Sequence, residues 1–323
     1  MRTATVVEFG GPDVFRMVEV PDLLPGAGEV LVDVEFADTL WLETMVRSGR
    51  GRDYWPMRPP YVPGNGVAGR VLGVGPGVDP GWAGRRVVAH TGTEGGYADR
   101  VLVPSSALTA VPDQVELSTA AALLHDGTTA EALFELTHIG PRDTVVVVGA
   151  SGGLGIVSVQ LARARADRVV AAARGSKLDR VRALRPDVAV DTEDPDWVAR
   201  VRHALGGDGV DVILDNVGGD LGEASFDLLR AGGRFSSHGT PSGRFASVDP
   251  ERAATRGVTI FGIRDVQFSA VDRTRFTEQA LAEAAEGILV PVIGQTFPLE
   301  RAGEAHAAIE SRTVFGKTLL TVG

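Results

Sequence analysis

Four consecutive valines, Val145–Val148, run directly into Gly149-Ala150-Ser151-Gly152-Gly153-Leu154-Gly155, and an amphipathic stretch from Leu154 to Arg165 follows. An unbroken apolar run suits a strand covered on both faces, which is the condition of parallel sheets packed between helices. The glycine turn then marks where such a strand hands over to a helix.

The same alternation continues downstream. Apolar strands are expected at Arg168 to Ala173, Val188 to Val190, Val210 to Leu214 and Gly233 to Ser237. Helices are expected at Lys177 to Leu184, near Trp197 to Leu205 and near Gly222 to Leu229. A run of βα units of this kind predicts an α/β, doubly wound parallel sheet of the Rossmann type.

In the turn, Ala150 stands where the dinucleotide fingerprint has its first glycine, and Ser151, Gly152, Gly153, Leu154 and Gly155 complete it. Small residues allow a tight turn, let backbone approach a pyrophosphate and bring helix close to strand. The free N–H groups and positive dipole end of the helix then face the phosphates.

The end of the second strand separates the two nicotinamide cofactors. A carboxylate about 20 residues past the turn would bind the ribose of NAD. Here the position 19 residues after Gly155 is Arg174, in Arg174-Gly175-Ser176-Lys177, and the segment has no acid. A guanidinium fork, a hydroxyl and an ammonium suit a phosphate dianion, so the expected cofactor is NADP(H). Lys177 is one of two lysines in the chain, Lys317 being the other.

Upstream the character differs. Short β-type runs at Glu29 to Phe36, Val67 to Val74, Arg86 to His90 and Tyr97 to Val103 are broken by Gly and Pro, as in an all-β or barrel-like module. After Leu117 the chain turns Ala-rich and helical, with Ser118 or Thr119 as the expected N-cap. The tail offers strands at Thr296 to Leu299 and Thr318 to Val322 around a helix from Arg301 to Glu310, and it could finish the nucleotide sheet or return to the first module.

Composition narrows the function classes. A formal net charge of −10 argues against nucleic acid and anionic membrane surfaces as partners. The absence of Cys removes disulfides, thiolate catalysis and thiolate zinc sites. No signal peptide and no apolar run of about 18 residues is found, so a cytoplasmic protein is expected.

At this point the chain resembles the medium-chain dehydrogenase/reductase family, and within it the zinc-independent, quinone-oxidoreductase-like members. The resemblance is carried by the glycine turn and by Phe9-Gly10-Gly11-Pro12, Val46-Arg47-Ser48-Gly49, Pro63-Gly64, Gly95-Gly96-Tyr97-Ala98, Asp215-Asn216-Val217-Gly218-Gly219, Ala231-Gly232-Gly233-Arg234 and Phe315-Gly316-Lys317. It implies a GroES-like catalytic domain over 1–117, completed by 290–323, and a Rossmann NADP(H)-binding domain over 118–289. It also implies a homodimer joined through an edge strand near Val258 to Ile263. Where zinc-dependent relatives carry Gly-His-Glu, this chain has Gly64-Asn65-Gly66, so neither zinc site is expected.

The resemblance assigns residues as well. It places Thr129 near the nicotinamide, Gly239 near its carboxamide and Asn216 and Val217 at the nicotinamide half, with Phe261 and Lys317 also at the cofactor. The family's Asn and aromatic before Arg-Ser-Gly are Leu40 and Met45 here, and the Tyr of the adenosine side is Thr192. Leu40, Met45, Tyr54 and Trp55 are therefore the expected substrate-pocket residues, in a pocket rebuilt relative to quinone reductases.

Reduction of a quinone or of the activated C=C of an α,β-unsaturated carbonyl needs a hydride, an orienting donor and a proton, which water can supply. His125, in Leu124-His125-Asp126-Gly127-Thr128-Thr129, is the candidate proton donor; a His beside Asp at a helix start is also a common structural pair. His90 and His238 are weaker candidates. Two alternatives stay open: an enoyl-thioester reductase for CoA or carrier-bound chains, with Arg50, Arg52 and Arg58 at its mouth, and an NADPH-binding sensor without chemistry.

Overall fold

The computed structural model describes residues 1–50 and 56–323. In chain order the elements begin with β1 (Arg2–Val6), β2 (Phe15–Glu19), β3 (Glu29–Asp38), α1 (Trp41–Arg47), β4 (Gly66–Val74), β5 (Arg86–His90), β6 (Arg100–Pro104), β7 (Leu108–Ala110) and α2 (Leu117–Leu136). Next come β8 (Thr144–Val148), α3 (Gly153–Arg165), β9 (Arg168–Ala173), α4 (Leu178–Arg182), β10 (Val188–Asp191), α5 (Trp197–Ala204), β11 (Val210–Asp215), α6 (Gly219–Ser225) and β12 (Leu229–Ser237). The chain ends with α7 (Pro250–Thr255), β13 (Thr259–Gly262), α8 (Ala270–Ala285), β14 (Ile293–Pro298), α9 (Ala302–Ser311) and β15 (Lys317–Thr321). Two units result: Met1–His125 with Thr277–Ala285 and Pro291–Gly323, and Asp126–Phe276 with Glu286–Val290.

The first unit is built on a sheet ordered β14-β15-β3-β4-β5-β7, with β6 also paired to β3. Burial alternates along much of β3, so one face carries Val30, Val32 and Val34 into a core with Val67, Val87, Tyr97 and Leu320. The other face is covered as well, by Leu124 and Leu281 packed on Ala68, Val88 and Leu319. The C-terminal strand β15 pairs antiparallel with β3, Leu319 opposite Asp38.

The second unit is a six-stranded, all-parallel sheet ordered β10-β9-β8-β11-β12-β13. Numbered from β8 this is the order 3-2-1-4-5-6, and the direction of winding reverses between β8 and β11, where such sheets bind nucleotides. Val145–Val148 are fully buried, each stabilising the fold by about 1.5–3 kcal/mol. The helices cover both faces, which is why β8, β9 and β11 read as continuous apolar runs.

Several local expectations shift. Ser118 and Thr119 do not cap α2 but lie in its first turn, because Leu117 is drawn into the core formed with Val111 and Val115. The expected strand from Tyr97 begins instead at Arg100; Tyr97 makes an isolated approach to the first strand, accepting at its carbonyl from Ala4 N–H. The helix expected over Lys177 to Leu184 divides into a 3-10 turn, Gly175–Lys177, and the short α4. Among the described residues no helix is long and apolar enough to cross a membrane.

Candidate functional site

The glycine turn is held by β9: the N–H groups of Gly149 and Ala150 both donate to the carbonyl of Ala172, at 2.9 and 3.0 Å. Gly149 has φ +77, and a Cβ there would lie 2.7 Å from Val217 Cγ2, so the turn and the end of β11 touch only because the residue is glycine. A side chain at Gly155 would collide with the backbone of Gly149 and Ala150, which is the close helix-strand contact the fingerprint requires. At Gly152, by contrast, a Cβ would meet nothing nearer than 3.8 Å, and no side chain caps α3 at this residue. The helix thus presents its N-terminus with space before it, the form of an anion site.

Arg174 and Ser176 are exposed at the end of β9, and Lys177 is half-buried beside them. Burial and then the neighbouring Arg174 and Arg180 push the Lys177 ammonium below its ordinary pKa. An anion would relieve the Lys177 ammonium, and a phosphate dianion fits the donor set. The fit to an adenosine 2′-phosphate therefore rests on the setting of Lys177 as well as on residue type.

The ends of β11 and β12 form the other side. Asn216 Nδ2 donates to the carbonyl of Val148 at 2.9 Å, leaving Oδ1 to accept from His238 Nε2 at 2.8 Å. His238 Nδ1 then receives the Ser236 hydroxyl at 3.0 Å, and loss of solvation pulls its pKa down to about 4. His238 is thereby a neutral strut for Asn216. Asp215 accepts at Oδ1 from the N–H groups of Val217 and Gly218, at 3.0 and 2.8 Å, while burial raises its pKa to about 6. Asn216, Val217 and Gly239 are brought together, whereas Phe261 lies on the edge strand β13, opposite Ser236 in register.

Within the first unit, Glu43 is buried at the start of α1. Its Oε2 accepts from Leu40 N–H at 3.0 Å and Tyr97 Oη at 2.6 Å, and Oε1 accepts from Asn65 N–H at 3.1 Å. Burial raises its pKa to about 7. Beside it lies an apolar cavity of about 340 Å³, whose described lining includes Leu42, Glu43, Val46, Met57, Tyr61 and Asn65. Leu40 and Met45 are not among those lining residues, because α1 turns Leu42, Glu43 and Val46 toward the cavity. Tyr54 and Trp55, like Arg52, lie outside the described residues.

His125 lies on α2, with Thr129 one turn further along. Its Nδ1 donates to Asp38 Oδ2 at 2.6 Å, and the other Asp38 oxygen faces Lys317 Nζ at 2.7 Å. Lys317, expected at the cofactor, has its buried ammonium on a carboxylate of its own unit. Neither Asp38 nor Glu43 was singled out from the sequence. An acid closing an alternating apolar strand, as Asp38 closes β3, was the available signal for the first.

A switch-point crevice with an open helix N-terminus and a basic cluster at the second strand defines a dinucleotide-binding protein, here carrying a β-rich second module. Comparison with known proteins narrows this. Residues 26–113 match the alcohol dehydrogenase GroES-like domain, and residues 184–320 match the model described as zinc-binding dehydrogenase. The chain is 30% identical to quinone oxidoreductase of Rattus norvegicus, over 99% of this chain and 97% of that protein. It is 31% identical to 2-haloacrylate reductase of a Burkholderia species, over 98% of each. The crystal structure of Escherichia coli quinone oxidoreductase complexed with NADPH superimposes with a TM-score of 0.91 at 26% identity, covering 99% of this chain and 100% of that one. The chain belongs to the medium-chain dehydrogenase/reductase family, among its quinone-oxidoreductase-like members.

Proposed function

We propose that this protein is an NADP(H)-dependent oxidoreductase that reduces a small quinone or the activated C=C of an α,β-unsaturated carbonyl without zinc. The observation that carries the cofactor assignment is the acid-free Arg174-Gly175-Ser176-Lys177 segment at the end of β9, whose lysine is destabilised as a cation by burial and then by its basic neighbours. Ala150, Ser151, Gly152, Gly153 and Leu154 would hold the pyrophosphate, Arg174, Ser176 and Lys177 the 2′-phosphate, and Asn216, Val217 and Gly239 the nicotinamide half. When bound, the nicotinamide supplies a hydride equivalent. The protein's part is to orient the acceptor, exclude water and supply the proton.

The acceptor class follows from the first unit and from the relatives. A largely apolar cavity of about 340 Å³ with one buried carboxyl suits a small neutral ring or enone. The acceptor named for the rat relative, quinone, is of that kind, while the one named for the Burkholderia relative, 2-haloacrylate, carries an activated C=C of similar size on an anionic carboxylate. Steady-state oxidation of NADPH across quinones and enones tests the reading, with NADPH binding but no turnover on any acceptor as the outcome against it.

The same reading includes a homodimer through β13. This strand pairs with β12 and lies at the edge of its sheet, with Ile260 exposed on it. Sedimentation should give a dimer, and Ile260→Lys should weaken it.

A further inference from the structure

Three ionisable side chains from three elements of the first unit form one chain of contacts: Lys317 on β15, Asp38 on β3 and His125 on α2. In the antiparallel β15/β3 pairing Leu319 stands opposite Asp38. Lys317, two residues before Leu319, therefore shares a face with it and reaches Asp38 diagonally. The Asp38 carboxylate is 1% exposed, with Oδ1 at 2.7 Å from Lys317 Nζ and Oδ2 at 2.6 Å from His125 Nδ1. A buried carboxylate held by lysine on one oxygen fixes the imidazole on the other.

The far edge of the ring is partly open. The His125 side chain is 21% exposed, and among the described residues Nε2 makes no hydrogen bond. His90 on β5 packs edge-on against the ring at 4.8 Å between centroids. Gly66 leaves room for it, since a Cβ there would lie 2.8 Å from His125 Cε1. Gly66 directly follows Asn65, a lining residue of the apolar cavity.

We propose that His125 is the catalytic acid of the reduction, with Asp38 and Lys317 as its positioning residues, and that the arrangement serves an α,β-unsaturated carbonyl. The proposal rests on the reductase reading above. Hydride addition at the β-carbon leaves an electron pair shared between the α-carbon and the carbonyl oxygen. The α-carbon–hydrogen bond forms as the Nε2–H bond of the imidazolium breaks, and the neutral imidazole regains a proton from water. Hydride and proton together complete the two-electron reduction of the C=C bond. A quinone takes its protons on oxygen, where water serves readily, and depends less on His125.

The test uses His125→Gln in the full-length protein, which leaves the Asp38–Lys317 pair in place. Enone kcat should fall by about 10²-fold, with the alkaline limb of its pH profile and its solvent deuterium isotope effect lost. Quinone turnover should fall far less, and NADPH dissociation constant and Tm should stay near wild type. Asp38→Asn should lower enone kcat with little change in enone KM or quinone turnover, because the imidazole loses the carboxylate that fixes it. The other ionisable groups facing the ring, Lys317, His90 on β5 and Glu43 on α1, are retained in both variants. Enone turnover and pH profile unchanged in His125→Gln, or equal losses on enones and quinones, overturn the assignment while leaving the reductase reading intact. A wild type that binds NADPH yet reduces no enone or quinone overturns both.

Discussion

The phenol of Tyr97 donates to Glu43 at 2.6 Å, and both side chains are buried. Because that hydrogen is committed, Tyr97 Oη accepts from His306 Nε2 at 3.1 Å, which makes His306 the neutral Nε2–H tautomer. Burial holds its pKa down, from 6.5 to about 3. A histidine depressed in the folded state binds more protons when unfolded, so its contribution is intact above pH 6.5 and erodes as pH falls toward about 3. Glu43, raised from 4.5 to about 7, acts in the opposite sense, protonating in the folded state first. His306→Gln keeps a donor for Tyr97 and removes the titration. Between about pH 7 and about pH 5 it should lose about 2 kcal/mol less stability than wild type, measured by denaturant unfolding at the two pH values; equal losses would show that His306 titrates normally.

Gly239 tests the nucleotide crevice. Its Cα lies so close to Asn216 that an added Cβ would overlap the Asn216 carbonyl carbon, and the neighbour is backbone that cannot swing away. Gly239→Ala should cost about 1–3 kcal/mol of stability and weaken NADPH binding as the Asn216–Val217 segment is displaced. Thermal unfolding and fluorescence titration read the two effects, and an alanine variant with wild-type Tm and affinity would show that the crossing is looser than drawn.

Gly66 makes a parallel case in the first unit. An alanine there would press on Leu124 and His125 from the strand beneath. If His125 is the proposed catalytic acid, enone kcat should fall several-fold with little change in NADPH affinity. A fall in NADPH affinity with kcat preserved would place the ring elsewhere.

How much of this was legible beforehand depends on the range of the interactions. The βα run was readable because strands buried on both faces announce themselves as Val145–Val148 and Val210–Leu214 do. The cofactor cluster was readable because its distance from Gly155 is fixed by one helix and one strand. Helix α1 was not, since seven residues carry little periodicity and its start is set by Glu43 reaching back to the Leu40 N–H. Nor was α8, whose inward residues Phe276, Ala280 and Leu281 are interleaved with charged ones. His125 could be named from its segment, but Asp38 is 87 residues away, and that pairing exists through the packing of α2 on the sheet, as the Lys317–Asp38 contact exists through the register of β3 and β15. The Asn216–His238 strut likewise required the neighbouring placement of β11 and β12.

Arg174 bears most directly on cofactor choice at residue level. It is exposed and stands in a segment without acids, so its guanidinium is available to a phosphate. Arg174→Ala should weaken NADPH binding by about 10- to 100-fold, the worth of a charge-assisted hydrogen bond, and leave NADH binding nearly unchanged. Isothermal titration with both cofactors measures it, and equal losses for the two would remove Arg174 from the 2′-phosphate site.

Acceptor-dependent oxidation of NADPH and of NADH by the wild-type protein decides whether the molecule is an NADP(H)-dependent reductase. Against a panel of quinones and α,β-unsaturated carbonyls, NADPH should be consumed in step with acceptor reduction and with a kcat/KM well above that for NADH. Preference for NADH, or NADPH bound without turnover on every acceptor, would show that it is not one.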